Sequence, residues 1–230
     1  MLSSSKIISK LFPGVLFLIL IITMSVSATS SPVFAASTTN NVFDENKIIT
    51  RMDELGIEKT VQDNLIEKIK NGELLDSENP EKVKQAAKYL KVSKQNPIAE
   101  YTFEDGSKIV KGIIIEKEEI SPHGIITTTA TPFYDSAFID AEFKAKIILN
   151  TDYPASSILS VYDSRITITF GDYSNDVLSI IKPTQSGSTP AHARLAFKYQ
   201  YQAPGWNVRS GTAWLELFVA DINWWDDFIY

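Results

Sequence analysis

Apolar and polar residues repeat with one period in the N-terminal part of the chain and with another further on. Over residues 43–98 the apolar side chains recur every three to four positions, which predicts amphipathic helices that each bury one face. The first predicted helix follows an acidic turn at Asp44 and stops at Gly56, and the second ends at Asn71. A third begins after Asn79, whose side chain suits an N-cap.

From residue 99 onward the period approaches two, as expected of strands. The segment Glu104-Asp105-Gly106-Ser107 lies between two short apolar runs and predicts the turn of a β-hairpin. Residues 133–230 are rich in aromatic and β-branched types, with frequent turn signals. We therefore predict an α+β fold, with N-terminal helices and a β-hairpin over residues 43–120, a linker over 121–132 and an antiparallel β-sandwich over 133–230.

Alternation within the predicted sandwich assigns side chains to faces. Over residues 140–147 the odd positions are apolar and the even positions are charged, so one face is buried and the other is in water. The segment 212–221 differs, because Trp214, Glu216 and Phe218 lie on the face that is polar in the preceding strands. Exposed aromatic rings on a polar face indicate a binding surface or a second packing contact.

A candidate binding surface follows from this observation and from the aromatic residues nearby. Aromatic rings beside polar groups can hold a sugar, because the ring stacks on C–H groups while polar atoms bind hydroxyls. We predict a non-enzymatic binding module whose ligand is a cell-envelope glycan or another extracellular protein. The alternative is that the N-terminal helices or the C-terminal tail cover Trp214 and Phe218. The candidate contact residues are Trp206, Trp214, Glu216, Phe218, Trp224 and Trp225.

The first 35 residues have the pattern of a signal peptide. Lys6 and Lys10 precede an apolar run over 11–24, and Val33-Phe34-Ala35 matches a cleavage site. A retained anchor is the alternative, but the apolar run is roughly 14 residues long against the ~20 that span a bilayer. Residues 36–42 are polar and are predicted to be disordered. We expect a secreted, extracellular protein without a stable membrane span after removal of the leader, and association with the cell wall stays open.

Composition excludes several classes of function. The chain has no cysteine and two histidines, which excludes disulfides, thiol nucleophiles and a zinc site of three or four His/Cys ligands. The net charge is −6, and removal of the two leader lysines makes it more negative, which argues against nucleic acid as a partner. We predict no metal and no cofactor.

Catalytic residues are not predicted. His192 lies in a strand pattern without the glycines of a nucleophile elbow and is interpreted as structural. The acidic residues Asp221, Asp226 and Asp227 lack the spacing of a calcium loop. Two alternatives stay open, namely a secreted hydrolase that uses paired carboxylates and a secreted toxin or bacteriocin-like protein whose amphipathic helices act on membranes.

A series of short motifs runs from residue 55 to residue 109, namely Leu55-Gly56-Ile57, Gln62, Leu65-Ile66, Lys68, Asn71-Gly72-Glu73, Asp76-Ser77 and the hairpin Tyr101–Ile109 around Asp105-Gly106-Ser107. In these motifs the region resembles a recurring N-terminal region of small secreted Gram-positive proteins of unknown activity. The resemblance implies export and a two-part organisation, and it brings no catalytic residues.

Overall fold

The computed structural model describes residues 44–116, 119–121, 124–150, 155–202 and 209–229. The predicted leader over 1–35, the predicted disordered segment 36–42 and Trp206 lie outside the described residues. Within the described ranges no helix has both the length and the apolar character needed to cross a bilayer.

Three α-helices and a short 3₁₀ helix form the N-terminal region, as the apolar period predicts. They are α1 (Glu45–Glu54), α2 (Lys59–Lys70), a 3₁₀ helix (Asp76–Glu78) and α3 (Pro80–Ala86). The Asn79 side chain accepts hydrogen bonds from the backbone N–H groups of Glu81 and Lys82, which confirms it as the N-cap of α3. The apolar stripe of α1 is buried, with Ile48 and Met52 both inaccessible to solvent.

Antiparallel strands make up the rest of the described chain and form two sheets. The first sheet has the order β1-β2-β4-β5-β6, with β3 paired to β4, and the second has the order β10-β9-β8-β7. The strands are β1 (Ile98–Thr102), β2 (Lys108–Ile115), β3 (Glu119–Ser121), β4 (Ile125–Asp135), β5 (Ile139–Asn150), β6 (Ser157–Ile168), β7 (Gly171–Lys182), β8 (Ala191–Tyr201), β9 (Arg209–Ala220) and β10 (Asn223–Ile229).

The core lies between the inner faces of the two sheets. Phe143 and Ile147 of β5 and Leu195 and Leu217 of β8 and β9 are all fully buried. The alternation of residues 140–147 and 212–219 is therefore that of half-buried strands, as the sequence predicts. The α+β fold with N-terminal helices and an antiparallel sandwich is confirmed.

The prediction of a linker over residues 121–132 is wrong. Ser121 belongs to β3, and β4 pairs with both β2 and β5 in the middle of the first sheet. Pro132 misled the sequence interpretation, because proline is rare in central strands. It is tolerated here because the β4–β5 pairing skips Thr131 and Pro132, while Pro132 pairs with Ile113 of β2 on its other side. The hairpin and the sandwich therefore share one sheet, within one compact unit.

Polar groups of Lys68, Asp76, Ser77, Asp105 and Ser107 meet at the hairpin turn. The Asp105 carboxylate accepts hydrogen bonds from Lys68 Nζ at 2.8 Å, from the Asp76 N–H at 2.9 Å and from Ser107 N–H and Oγ at 2.9 and 2.6 Å. Ser107 Oγ in turn accepts from the Ser77 N–H at 2.9 Å. Burial alone would raise the pKa of Asp105, but these hydrogen bonds hold it below its usual range. This network fastens the hairpin to the helical region.

A second buried contact joins the helical region to the sandwich. Glu78 is 3% exposed, and its carboxylate accepts from the Phe138 N–H and from the Tyr201 hydroxyl, both at 3.3 Å. Burial raises the pKa of Glu78 to about 7. Arg51 of α1 donates to Asp135 at the end of β4. The helices are thus packed on the sandwich through polar as well as apolar contacts.

Candidate functional site

The outer face of the second sheet carries the aromatic residues that the sequence analysis singled out. Cross-strand pairing places the outward side chains in rows that run across β10, β9, β8 and β7. We name three adjacent rows by their residues. They are the aromatic row (Trp225, Phe218, His192), the charged row (Asp227, Glu216, Arg194) and the apolar row (Ile229, Trp214, Ala196, Val177).

Rings in the aromatic row stack on one another. The Phe218 and Trp225 centroids are 5.5 Å apart with planes 13° from parallel, and those of Phe218 and His192 are 4.4 Å apart with planes at 15°. Because β9 lies between β10 and β8, the two neighbours cover opposite faces of Phe218. Phe218 therefore lies between two stacked rings, whereas one face of the Trp225 indole points away from Phe218.

The charged row is organised around Glu216. Its side chain is 6% exposed, and Oε1 accepts hydrogen bonds from Arg194 Nε at 2.7 Å and from His192 Nε2 at 3.2 Å. Arg194 Nη2 lies 2.6 Å from the same oxygen. Burial, reinforced by the Arg194 charge, lowers the pKa of His192 despite the opposing charge of Glu216. At neutral pH the histidine is therefore a neutral donor that holds Glu216 in place.

The apolar row crosses all four strands. Val177 is 54% exposed and Ile229 is 41% exposed, whereas Trp214 and Ala196 between them are half-buried. The Trp214 indole makes no ring contact and no hydrogen bond with the described residues. Its cross-strand neighbour on β8 is Ala196, whose side chain is a methyl group, so no large side chain is paired with the indole on that side.

Four of the six candidate residues share the outer face, and one does not. Trp214, Glu216, Phe218 and Trp225 lie on it, as alternation along β9 predicts. Trp224 was wrongly grouped with them, because it points inward and is 3% exposed. The sequence analysis treated residues 224–228 as a tail, whereas they form β10, in which consecutive side chains point to opposite faces.

The alternative that the C-terminal segment folds over Trp214 and Phe218 is wrong, because β10 pairs beside β9 in the same sheet. Sequence reasoning missed two members of the site, His192 and Arg194. Alternation along β8 puts both on its polar face, but their approach to Glu216 depends on the β8–β9 register. The only signal in the sequence was their alternation with apolar residues.

A separate cleft of about 380 Å³ lies between α1 and the end of β6, and its lining includes Lys47, Arg51, Thr167 and Thr169. It does not adjoin the outer face of the second sheet. Among the described residues, no group of three or more His, Asp or Glu side chains is arranged to hold a metal ion.

Comparison with known proteins found no matching family model and no matching curated protein. Among solved structures, the chain is similar to the crystal structure of the hypothetical protein lmo2686 from Listeria monocytogenes EGD-e. The two share 18% sequence identity with a TM-score of 0.35, over 60% of this chain and 96% of that one.

Proposed function

We propose that this protein is a secreted, non-enzymatic binding module, and that its ligand lies on the outer face of the second sheet. The observation that carries the proposal is that two partly exposed indoles, Trp214 and Trp225, lie on the same face of the sheet with the charged row between them. The ligand that suits this arrangement best is a glycan of the cell envelope. The leader-like first 35 residues support export to that location.

The spacing of the two indoles suits an extended ligand. Trp225 is level with Phe218, which is four residues beyond Trp214 on β9, so the indoles are roughly 13 Å apart along the strands. Between them, Asp227 and Arg194 offer an acceptor and a donor at the surface. A glycan lying along β9 would stack C–H groups on the indoles at its ends and bind its hydroxyls to the charged row.

A protein partner is the second candidate, and the apolar row favours it. Val177 and Ile229 are about half exposed on the two edge strands of the second sheet, with Trp214 between them. Partly exposed apolar residues around a tryptophan are typical of the centre of a protein interface. Such a partner would use the apolar row more than the charged row.

The two remaining hypotheses have less support. A hydrolase needs carboxylates that reach the substrate, whereas Glu216 is buried and its Oε1 already accepts from Arg194 and His192. A membrane-active toxin would use the apolar faces of its helices, but in this fold those faces are core, as Met52 and Ile69 show. A binding module therefore fits the geometry better than either.

The test is retention of the protein, starting after residue 35, on insoluble peptidoglycan, cellulose and chitin. The double variant Trp214→Ala, Trp225→Ala should bind at least about tenfold more weakly than wild type, because each ring contributes about 0.5–1.5 kcal/mol beyond its buried area. Tyr162→Ala is the matched control, since it removes a partly exposed ring from the other sheet. Circular dichroism checks that each variant is folded.

Retention of wild type and of the Tyr162 variant, together with loss in the double variant, would support the glycan. Equal retention of all three proteins would show binding elsewhere on the molecule. Absence of wild-type retention on every polymer would overturn the glycan proposal and leave the protein partner as the candidate.

A further inference from the structure

One lysine and one aspartate are buried together between the two sheets. Lys111 of β2 and Asp226 of β10 lie with Nζ and Oδ1 3.2 Å apart, and their side chains are 6% and 0% exposed. Since β2 belongs to the first sheet and β10 to the second, the contact bridges the sandwich. The pair is therefore closed off from bulk water.

Apolar and aromatic side chains surround this contact. Ile109 and Ile113 share the inner face of β2 with Lys111 and are at most 1% exposed. Tyr134, the cross-strand neighbour of Lys111, stacks on Phe228 with ring centroids 3.6 Å apart. Phe228 lies on the same face of β10 as Asp226. Surroundings of this kind favour the uncharged form of a carboxyl group.

The Asp226 carboxyl lacks the hydrogen bonds that usually accompany a buried carboxylate. Neither oxygen has a hydrogen-bond partner among the described residues, although the Lys111 nitrogen lies within ion-pair distance of one of them. Burial raises the pKa of Asp226 to about 7, against the opposing charge of Lys111. A carboxyl group that is readily protonated and faces an amine at close range can react with it rather than remain its counter-ion.

We infer that Lys111 and Asp226 condense to an intramolecular amide that joins β2 to β10. In the neutral pair, the lone pair of Lys111 Nζ attacks Cγ of the protonated Asp226 carboxyl, and a C–N bond forms while the C–OH bond breaks. The hydroxyl leaves with one proton from the nitrogen as water. The step needs no oxidant, reductant or further reactant, and its product replaces two buried ionisable groups with a neutral amide.

The contact between Lys68 and Asp105 has the same residue types and is not expected to react. Asp105 accepts from Lys68, from the Asp76 N–H and from two groups of Ser107, so its carboxylate is held ionised. Lys68 is also 23% exposed, and water can solvate its ammonium group. The same chain thus contains an internal comparison for the reaction.

Such a bond would supply a covalent tie that this chain cannot obtain from cysteine, because it has none. The positions of Lys111 and Asp226 enclose most of the sandwich strands within one loop. A cross-link across a long loop constrains the unfolded chain strongly, whatever its chemistry. An amide would also survive reducing conditions that open a disulfide.

The test is the intact mass of the purified protein, starting after residue 35 and measured in denaturant. We expect wild type to be lighter than its sequence mass by one water molecule. Lys111→Arg keeps the ion pair but cannot form the amide, and it should have its full sequence mass, as should Asp226→Ala. Asp226→Asn should lose ammonia instead of water, and its product should have the same mass as cross-linked wild type.

Peptide mapping places the bond. In wild type, trypsin should leave the Lys111 position uncut and release a branched peptide that contains Lys111 and Asp226, whereas Lys68→Arg should leave the mass loss unchanged. Circular dichroism establishes that the proteins are folded before denaturation. A full sequence mass for folded wild type would overturn the inference, and so would a branched peptide that lacks either residue.

Discussion

The hairpin turn at Asp105 and the inter-sheet contact at Asp226 each bring an aspartate against a lysine, but the two carboxyls have opposite surroundings. Asp105 accepts from four donors, and its pKa is lowered although burial opposes this. Asp226 lies deeper, its two carboxyl oxygens have no hydrogen-bond partner among the described residues, and its pKa is raised to about 7.

The difference shows that a neighbouring lysine does not by itself keep a buried carboxyl ionised. A lysine nitrogen lies 2.8 Å from Asp105 and another lies 3.2 Å from Asp226, so each carboxyl has a cation at close range. What differs is the number of fixed N–H and O–H groups that replace water around the carboxylate. Asp105 therefore stays ionised and anchors the hairpin turn to the helices. The Asp226 carboxyl, in contrast, can be protonated and can react with Lys111.

The largest expected effect is the loss of this anchor. Asp105→Ala should lower the free energy of unfolding by about 3 kcal/mol, because it leaves two backbone N–H groups without their acceptor and leaves Lys68 with Asp76 as its remaining carboxylate partner. Urea denaturation measures the change. Glu104→Ala, at the exposed neighbouring position, is the control and should stay within about 0.5 kcal/mol of wild type. A small loss for Asp105→Ala would contradict the anchor.

The next effect tests the fit of the hairpin turn against the helices. Gly106 has a φ of +86°, and a β-carbon added there would collide with Val61 Cγ1. Gly106→Ala should cost about 2–3 kcal/mol, from positive-φ strain together with the collision. Gly187 has a φ of +57° and open space around it, so Gly187→Ala isolates the strain and should cost about 1 kcal/mol. Equal losses in thermal or urea unfolding would rule out the close approach.

The pH dependence of stability should distinguish the two kinds of carboxyl. Burial raises the pKa of Glu78 and of Asp226 to about 7 and that of Asp135 to about 6, so the folded state binds more protons than the unfolded state above the unfolded pKa values. Stability is then highest in acid and should fall by about 1–3 kcal/mol per pH unit between about pH 4.5 and pH 6.5. Asp105, with its lowered pKa, loses its contribution only in stronger acid.

Glu78→Gln should reduce this slope, because it removes one of the titrating groups while keeping the size of the side chain. In the cross-linked chain Asp226 does not titrate, so Glu78 and Asp135 alone among these three groups contribute to the slope. Urea titrations of wild type and Glu78→Gln at several pH values measure both. Stability that rises between pH 4.5 and pH 6.5 would contradict the raised pKa values.

The smallest expected effect concerns Lys82, which lies at the exposed edge of the hydrogen-bond network around Asp105 and Asp76. Lys82 Nζ lies 2.6 Å from Asp76 Oδ2, but the lysine side chain is 44% exposed. Lys82→Ala should therefore lower the free energy of unfolding by less than about 1 kcal/mol. A loss above about 2 kcal/mol, measured beside Asp105→Ala in the same urea titration, would mean that Lys82 belongs to the buried network.

Local periodicity in the sequence was enough to predict a large part of this molecule. The apolar spacing of α1, the capping residue Asn79 and the alternation of β9 depend on neighbours a few positions away, and all three predictions hold. The prediction for Trp224 was wrong because adjacent residues of a strand point to opposite faces, and residues 224–228 were not assigned to a strand. The alternation of side chains along one short strand thus decides which of the two tryptophans lies on the outer face.

Contacts between distant segments could not be predicted. The approach of Lys111 to Asp226 depends on the packing of two sheets, and the meeting of Arg194 and His192 with Glu216 depends on the β8–β9 register. Neither leaves a periodic trace in the sequence. β4 was missed for a related reason, since its threonines and Pro132 resemble a loop until partners on both sides are known.

The position of β10 at the edge of its sheet also sets an order of events during folding. β10 pairs locally with β9, but its inner face meets β2, a strand made much earlier. Until Asp226 arrives, Lys111 has to remain hydrated, because a buried lysine without a partner is strongly unfavourable. The sandwich can therefore close on its β2 side only when the chain has been translated through β10, so this contact discriminates against truncated chains.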